Sequence, residues 1–348
     1  MMKKNLKSFS VQEIENLLTE IDEKQYHTRQ ILRWIYQQGV TEISQMTDLS
    51  KSCRKKLEDI CFVSKLILVD TLMSKDGTCK YIFRLSDGRD IESVLIPDGE
   101  RLTLCISTQL GCRQGCSFCL TAKMGFIRNL SVYEIIDQII QIRRHLSLDN
   151  RAINIVLMGM GEPLDNYQNT VQAIRNITSP LGLNISTRHV TLSTAGMIPE
   201  LLRLQKEDLK INLAISINAP NDKIRSNLMP INHRYNLESL LQTLRNYPLY
   251  RRQRFTIEYV LIDKINDSPE LANELYRILK GIPCKINLIP YNSNPDTPFK
   301  ECLEDALERF SKILLGHNLT VTVRRSRGKD IGAACGQLIT KSEKLVFH

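Results

Sequence analysis

The sequence predicts an α/β protein, a partial (β/α)6 barrel preceded by a small helical domain, on three observations. Six strand-like runs, LTLCIS, INIVLM, HVTLST, INLAISI, FTIEYVLI and CKINLIP, alternate with amphipathic stretches such as VYEIIDQIIQIRRHL and DALERFSKILLGH. That alternation is the pattern of a parallel sheet with helices outside. No glycine fingerprint for a dinucleotide follows the first strand and no P-loop occurs, which favours a barrel over a doubly wound sheet. The front of the chain differs in texture, with apolar residues at helical spacing from Tyr26 to Ile60.

Residues 1–75 read as a basic helical domain, with Ile31, Trp34 and Ile35 facing inward and Arg29, Arg33, Lys51, Arg54, Lys55 and Lys56 on outer faces. Such a charged surface is either a solvated bundle face or an RNA contact. Residues 76–101 read as a β linker or extension, including YIFRLSDGRDIESVLIP with a turn at Asp87 and Gly88. Residues 102–348 form the barrel core, with a further strand, LTVTVRR, before the C-terminal segment. In barrels of this kind, chemistry sits at the C-terminal ends of the strands.

The 348 residues are 42% hydrophobic and 24% charged, which excludes disorder throughout. No apolar run approaches the roughly 18 residues of a membrane span, and the start, MMKKNLKSFSVQEIENLL, is amphipathic rather than a signal peptide. A cytoplasmic protein without a membrane partner is expected. Lys and Arg outnumber Asp and Glu by 47 to 38, a net charge of +9 that favours an anionic partner.

Ten cysteines in such a chain are thiols or metal ligands rather than disulfides. Cys53, Cys61, Cys79, Cys284 and Cys302 are scattered and read as packing residues. Directly after the first barrel strand, GCRQGCSFC places Cys112, Cys116 and Cys119 in a C-x(3)-C-x(2)-C loop. A structural zinc asks for a fourth ligand at short range, and downstream none occurs before His145. Three thiolates suit instead a [4Fe-4S] cluster with one iron left open, although an RNA-binding protein with zinc on these cysteines is the rival reading from another class.

This loop, with Phe118 before its last cysteine, resembles the radical SAM superfamily. The segments CISTQLGCRQGCSFCLTAKMGFIRNLS, MGMGEPLDN, LSTAGMIP, LAISINAPND, LMPIN, NLIPYN and RRSRGKDIGAACGQL, with WIYQQGV at the front, are similar to the RlmN and Cfr-type RNA adenine methyltransferases, in the same order. The resemblance implies a radical SAM barrel in which S-adenosylmethionine (SAM) chelates the open iron and is cleaved to a 5'-deoxyadenosyl radical. It implies methylation of adenine carbon 2 in 23S rRNA at the peptidyl transferase centre and in tRNA beside the anticodon. A flavodoxin is the implied electron donor, and a monomer is expected. The Cfr-like alternative is carbon 8 of the same rRNA adenine; Pro163 and the TAKMGF loop look more like the carbon-2 branch.

By the same resemblance, Cys335 in AACGQL carries a methyl group, and Cys105 frees the product by pairing with Cys335. Glu92 matches the proton acceptor. Unaided, Cys105 reads as a core thiol and Glu92 as a solvated strand residue, and the two compete for proton removal. The SAM contacts carried over are Gly161 and Glu162 after the second strand, Ser193 on the third, Ser216, Ile217 and Asn218 on the fourth, and Asn292 after NLIPY. Lys123, Arg128, Arg324, Arg325, Arg327 and Lys329 lie in sequence beside reacting cysteines, as expected of phosphate contacts.

Overall fold

A computed structural model describes residues 3–146 and 152–340. Seven parallel strands, Arg101–Cys105, Ile153–Leu157, Val190–Thr194, Asn212–Ser216, Phe255–Leu261, Cys284–Pro290 and Val321–Val323, follow one another across one sheet in chain order. These are the six expected barrel strands and the expected further one. Their outer faces pack on helices such as Val132–His145 and Glu304–Gly316. Sheet order places Val321–Val323 at one edge and Ile67–Met73 at the other, without pairing between them. The barrel is therefore partial.

The sheet extends beyond the parallel strands through Asp90–Asp98, Cys79–Arg84 and Ile67–Met73, all antiparallel. Residues 76–101 thus extend the main sheet, and the sheet reaches back into the stretch expected to be helical. Helical reading failed at Ile67–Met73 because this edge strand carries apolar residues on both faces: Ile67, Val69 and Met73 are exposed while Leu68 and Leu72 are half-buried. The turn at Asp87 and Gly88 is present, closed by Leu85 N–H donating to Arg89 O at 2.7 Å.

In the N-terminal domain, α1 (Val11–Glu20), α2 (His27–Tyr36) and α3 (Lys51–Ile60) bury Ile14, Leu18, Ile31, Ile35, Cys53 and Leu57. Ser10 begins α1 with a capping box to Glu13, and Ser50 caps α3. One buried ion pair ties this domain to the barrel: Lys7 Nζ stands 2.6 Å from Asp137 Oδ1 on the helix Val132–His145. Ser64 O accepts a second Lys7 hydrogen bond, and Leu66 N–H donates to Asp137 Oδ2, each at 2.7 Å. Among the described residues no helix is long and apolar enough to cross a membrane.

Both charges of this pair are almost fully buried, so removing one strands the other in the interior. Asp137→Ala should lower stability by about 3–5 kcal/mol, read as a lower midpoint in urea unfolding. An unchanged midpoint would mean that the pair does not hold the domain in place.

Candidate active site

The partial barrel encloses a cavity of about 830 Å³. At its rim the cysteine loop is fixed by backbone geometry. Gly111 adopts φ +74°, and a Cβ there would overlap the Gly125 carbonyl; this close approach lets Cys112 N–H donate to Gly125 O at 3.0 Å. Cys119 N–H donates to Cys116 O, closing the loop, and Ser117 N–H donates to Leu228 O.

Cys112, Cys116 and Cys119 all line the cavity. Among the described residues, the one set of three such side chains whose ligand atoms all lie within 4.8 Å of one another is Glu23, His27 and Cys53, in the helical domain. The loop cysteines are spaced more widely, whereas sulfurs sharing one zinc at 2.3 Å stand about 3.8 Å apart. Burial, with the charges of neighbouring thiols, pushes Cys112 up to about 12 and raises Cys116 and Cys119 as well. A donor set of this kind becomes anionic against a cationic group, and three thiols on one loop at the cavity fit a [4Fe-4S] cluster with one open iron.

The C-terminal segment lies over the same cavity. Asn292 Nδ2 donates to Cys335 O at 3.1 Å, Leu120 N–H to Gly336 O at 2.8 Å, and Thr121 Oγ1 to Leu338 O at 2.6 Å. Cys335 and Cys105 therefore share one cavity with the cysteine loop, although they lie at opposite ends of the core sequence. Burial pushes the Cys105 thiol up to about 12, with a smaller contribution from Cys335. Enclosure also raises Cys335, and the Arg324 guanidinium acts against it.

Gly161, Glu162, Ser193, Ser216, Asn218 and Asn292 line the cavity too. Gly161 has φ +101°, and a Cβ there would meet Gln109 Cβ at 2.5 Å. Asn292 Oδ1 is buried with no hydrogen-bond partner among the described residues, as befits an acceptor meant for a bound molecule. Glu162 is pushed up to about 7 by burial, against backbone N–H donors from Ala195 at 2.8 Å and Leu164 at 3.1 Å. The donor set fits a bound SAM.

Comparison with known proteins gives the same reading. Residues 4–63 match the ribosomal RNA large subunit methyltransferase N-terminal domain, and residues 106–275 match the radical SAM superfamily. The dual-specificity RNA methyltransferase RlmN of Syntrophus aciditrophicus is 49% identical, over 98% of this chain and 98% of its own length. That of Geobacter sulfurreducens is 45% identical, over 98% of this chain and 93% of its own. This chain belongs to the RlmN family. A radical SAM methyltransferase from Sphaerobacter thermophilus has a crystal structure superposing with a TM-score of 0.90, at 41% identity over 96% of this chain and 99% of that one.

Three expected site residues, Ile217 and Glu92 from the resemblance and Arg128 from its place in the sequence, lie outside the cavity lining. The Ile217 side chain does not line the cavity; just past the end of the strand Asn212–Ser216 it is fully buried in the core, between the cavity-lining Ser216 and Asn218. Glu92 is neither a solvated residue nor a cavity-lining one. It is buried, its Oε1 stands 3.0 Å from Lys80 Nζ, and its Oε2 accepts the Ile339 N–H at 3.0 Å. Burial raises its carboxyl, against the Lys80 charge. Arg128 is committed inside the protein, to Asp87 and Glu134 at 2.8 Å each.

Other basic residues also have internal partners: Lys123 donates to Asp296 O, Arg325 pairs with Glu304, Arg327 with Asp98 and Lys329 with Glu301. Sequence reasoning missed Lys80, whose role depends on strand pairing, and Arg225. The buried Arg225 donates to Ala195 O at 2.8 Å, Ile217 O at 3.2 Å and Asn232 Oδ1 at 2.7 Å, tying together the ends of two strands. No local signal in IRSNLMPIN announces that.

If Glu92 holds the C-terminal segment, Glu92→Ala should speed amide hydrogen exchange around Ile339 by about tenfold or more, the loss of a charge-assisted hydrogen bond. Unchanged protection would release Glu92 from this role.

Proposed function

We propose that this RNA methyltransferase acts on carbon 2 of an adenine, in 23S rRNA at the peptidyl transferase centre and in tRNA beside the anticodon. The observation that carries the reading is convergence: the cysteine loop, Cys105 and Cys335 line one cavity. Cys112, Cys116 and Cys119 would hold a [4Fe-4S] cluster, and Gly161, Glu162, Ser193, Ser216, Asn218 and Asn292 would hold SAM. When bound, these groups supply a methyl group and one-electron chemistry, which a ring carbon lacking an acidic proton requires.

The remaining work falls to the chain's own side chains. Cys335 opens into the cavity and carries the methyl group as a thioether, its thiolate favoured by Arg324. Cys105 faces the same space and resolves the protein–RNA link by forming a disulfide with Cys335. Of the two candidates for taking the ring proton, Cys105 lines the cavity and Glu92 does not, which favours Cys105. Glu92 and Lys80 position the segment that bears Cys335. Adenine inside a helix is shielded, so the RNA base enters unstacked or flipped. Arg29 and Arg33, exposed one turn apart on α2, suit the phosphate backbone. A flavodoxin-type donor, a monomer and a cytoplasmic site of action complete the reading.

Reconstituted protein with SAM, reductant and an rRNA fragment or tRNA should yield 2-methyladenosine on nucleoside analysis. The 8-methyl isomer would move it to the Cfr-like reading, and no methyladenosine from either RNA would overturn both. Replacing any one of Cys112, Cys116 and Cys119 with Ala should abolish cluster iron and methylation together. Cys105→Ala should leave protein and RNA covalently joined on a denaturing gel; free RNA with normal methyladenosine would remove Cys105 from the reaction.

A further inference from the structure

Three buried carboxylates lie in or beside the cavity, and their hydrogen bonding separates them. Both oxygens of Glu162 accept backbone N–H groups, and both of Glu92 are held by Lys80 and Ile339. Glu258 differs. It is 5% exposed, in the middle of the central strand Phe255–Leu261. Its Oε1 accepts from Asn287 Nδ2 at 3.0 Å, and its Oε2 is buried with no partner among the described residues. Leaving a buried carboxylate oxygen unpaired is costly, and a purely structural position would be filled by an apolar side chain.

The register shows where that oxygen belongs. Ser216 pairs across to Glu258, Glu258 to Asn287, and Asn287 to Thr322, and all four line the cavity. A polar row thus crosses four adjacent strands on the wall that also bears Arg324. Burial raises the Glu258 carboxyl, and the Arg324 charge and the Asn287 hydrogen bond oppose this.

We infer that Glu258 is an adenosine-binding residue, its unpartnered oxygen accepting an N–H or O–H donor from an adenosine seated in the cavity. The inference rests on the RNA methyltransferase reading, in which two molecules bring an adenosine: SAM and the target nucleotide. Both offer an exocyclic amine and ribose hydroxyls. At the same ring position guanine presents a carbonyl acceptor, which a carboxylate repels. Where the donor is the exocyclic amine, the buried acceptor also selects adenine, because the wrong base leaves it unpaired.

The test uses cluster-loaded full-length protein carrying Glu258→Gln or Glu258→Met. The Met variant removes a buried charge while keeping bulk, and should unfold no earlier than the parent. SAM affinity is measured by equilibrium dialysis with labelled SAM, and RNA methylation by kcat/KM. A fall in SAM affinity of about tenfold or more assigns the oxygen to SAM; unchanged SAM affinity with a similar fall in kcat/KM for RNA assigns it to the target adenosine. Parent-like values of both quantities in the Met variant overturn the inference, as does loss of cluster or fold in both variants. Failure of the parent protein to form methyladenosine would instead strike the functional reading.

Discussion

Cys335 lies 216 residues after Cys119, and the proposed chemistry needs both at one cavity, so the account depends on how the C-terminal segment is held. The holding is polar and distributed. Asn292, Leu120 and Thr121 donate to the backbone of residues 335–338, while Glu92 accepts from Ile339. Upstream, Gly328 N–H donates to Asp76 at 2.9 Å, and Ser74 donates to Asp330 at 2.6 Å. The antiparallel strands that extend the barrel sheet thereby serve as a clasp for the segment. Hydrogen bonds of this kind contribute about 1 kcal/mol each, enough in sum to order a loop yet separable one at a time. A segment whose cysteine must reach different partners in successive steps suits such a clasp better than an apolar core would.

Charge placement follows the same logic at two depths. Lys7 with Asp137 and Lys80 with Glu92 are buried pairs, each completed by backbone donors or acceptors, which is the condition under which a buried ion pair is tolerable. One fastens the N-terminal domain and the other the C-terminal segment. Four of the basic residues expected to meet RNA, Arg128, Arg325, Arg327 and Lys329, are instead in ion pairs within the protein. The net charge of +9 therefore describes the whole field more than it identifies contacts.

Legibility in the sequence tracked how local the cause was. The six barrel strands and the cysteine loop are written in short segments, through alternation of elements and ligand spacing, and both were readable. The strand Ile67–Met73 was not, because apolar residues stand on its exposed face as well as its half-buried one. Ile217 was carried over with its motif, and of Ser216, Ile217 and Asn218 it is the one whose side chain is turned into the core. Glu92 and Glu258 look alike as acidic residues in apolar strands. Only tertiary contacts 247 residues away for one, and an unpaired oxygen facing the cavity for the other, tell them apart.

The central claim is that Cys335 is the methyl carrier within the cavity, and following the methyl group tests it most directly. Reconstituted protein is incubated with methyl-deuterated SAM in the absence of RNA, digested and read by mass spectrometry. The account predicts label on Cys335 alone, and its passage to adenine once RNA and reductant are added. Label on a different residue, or on RNA while Cys335 stays unlabelled throughout, would contradict it.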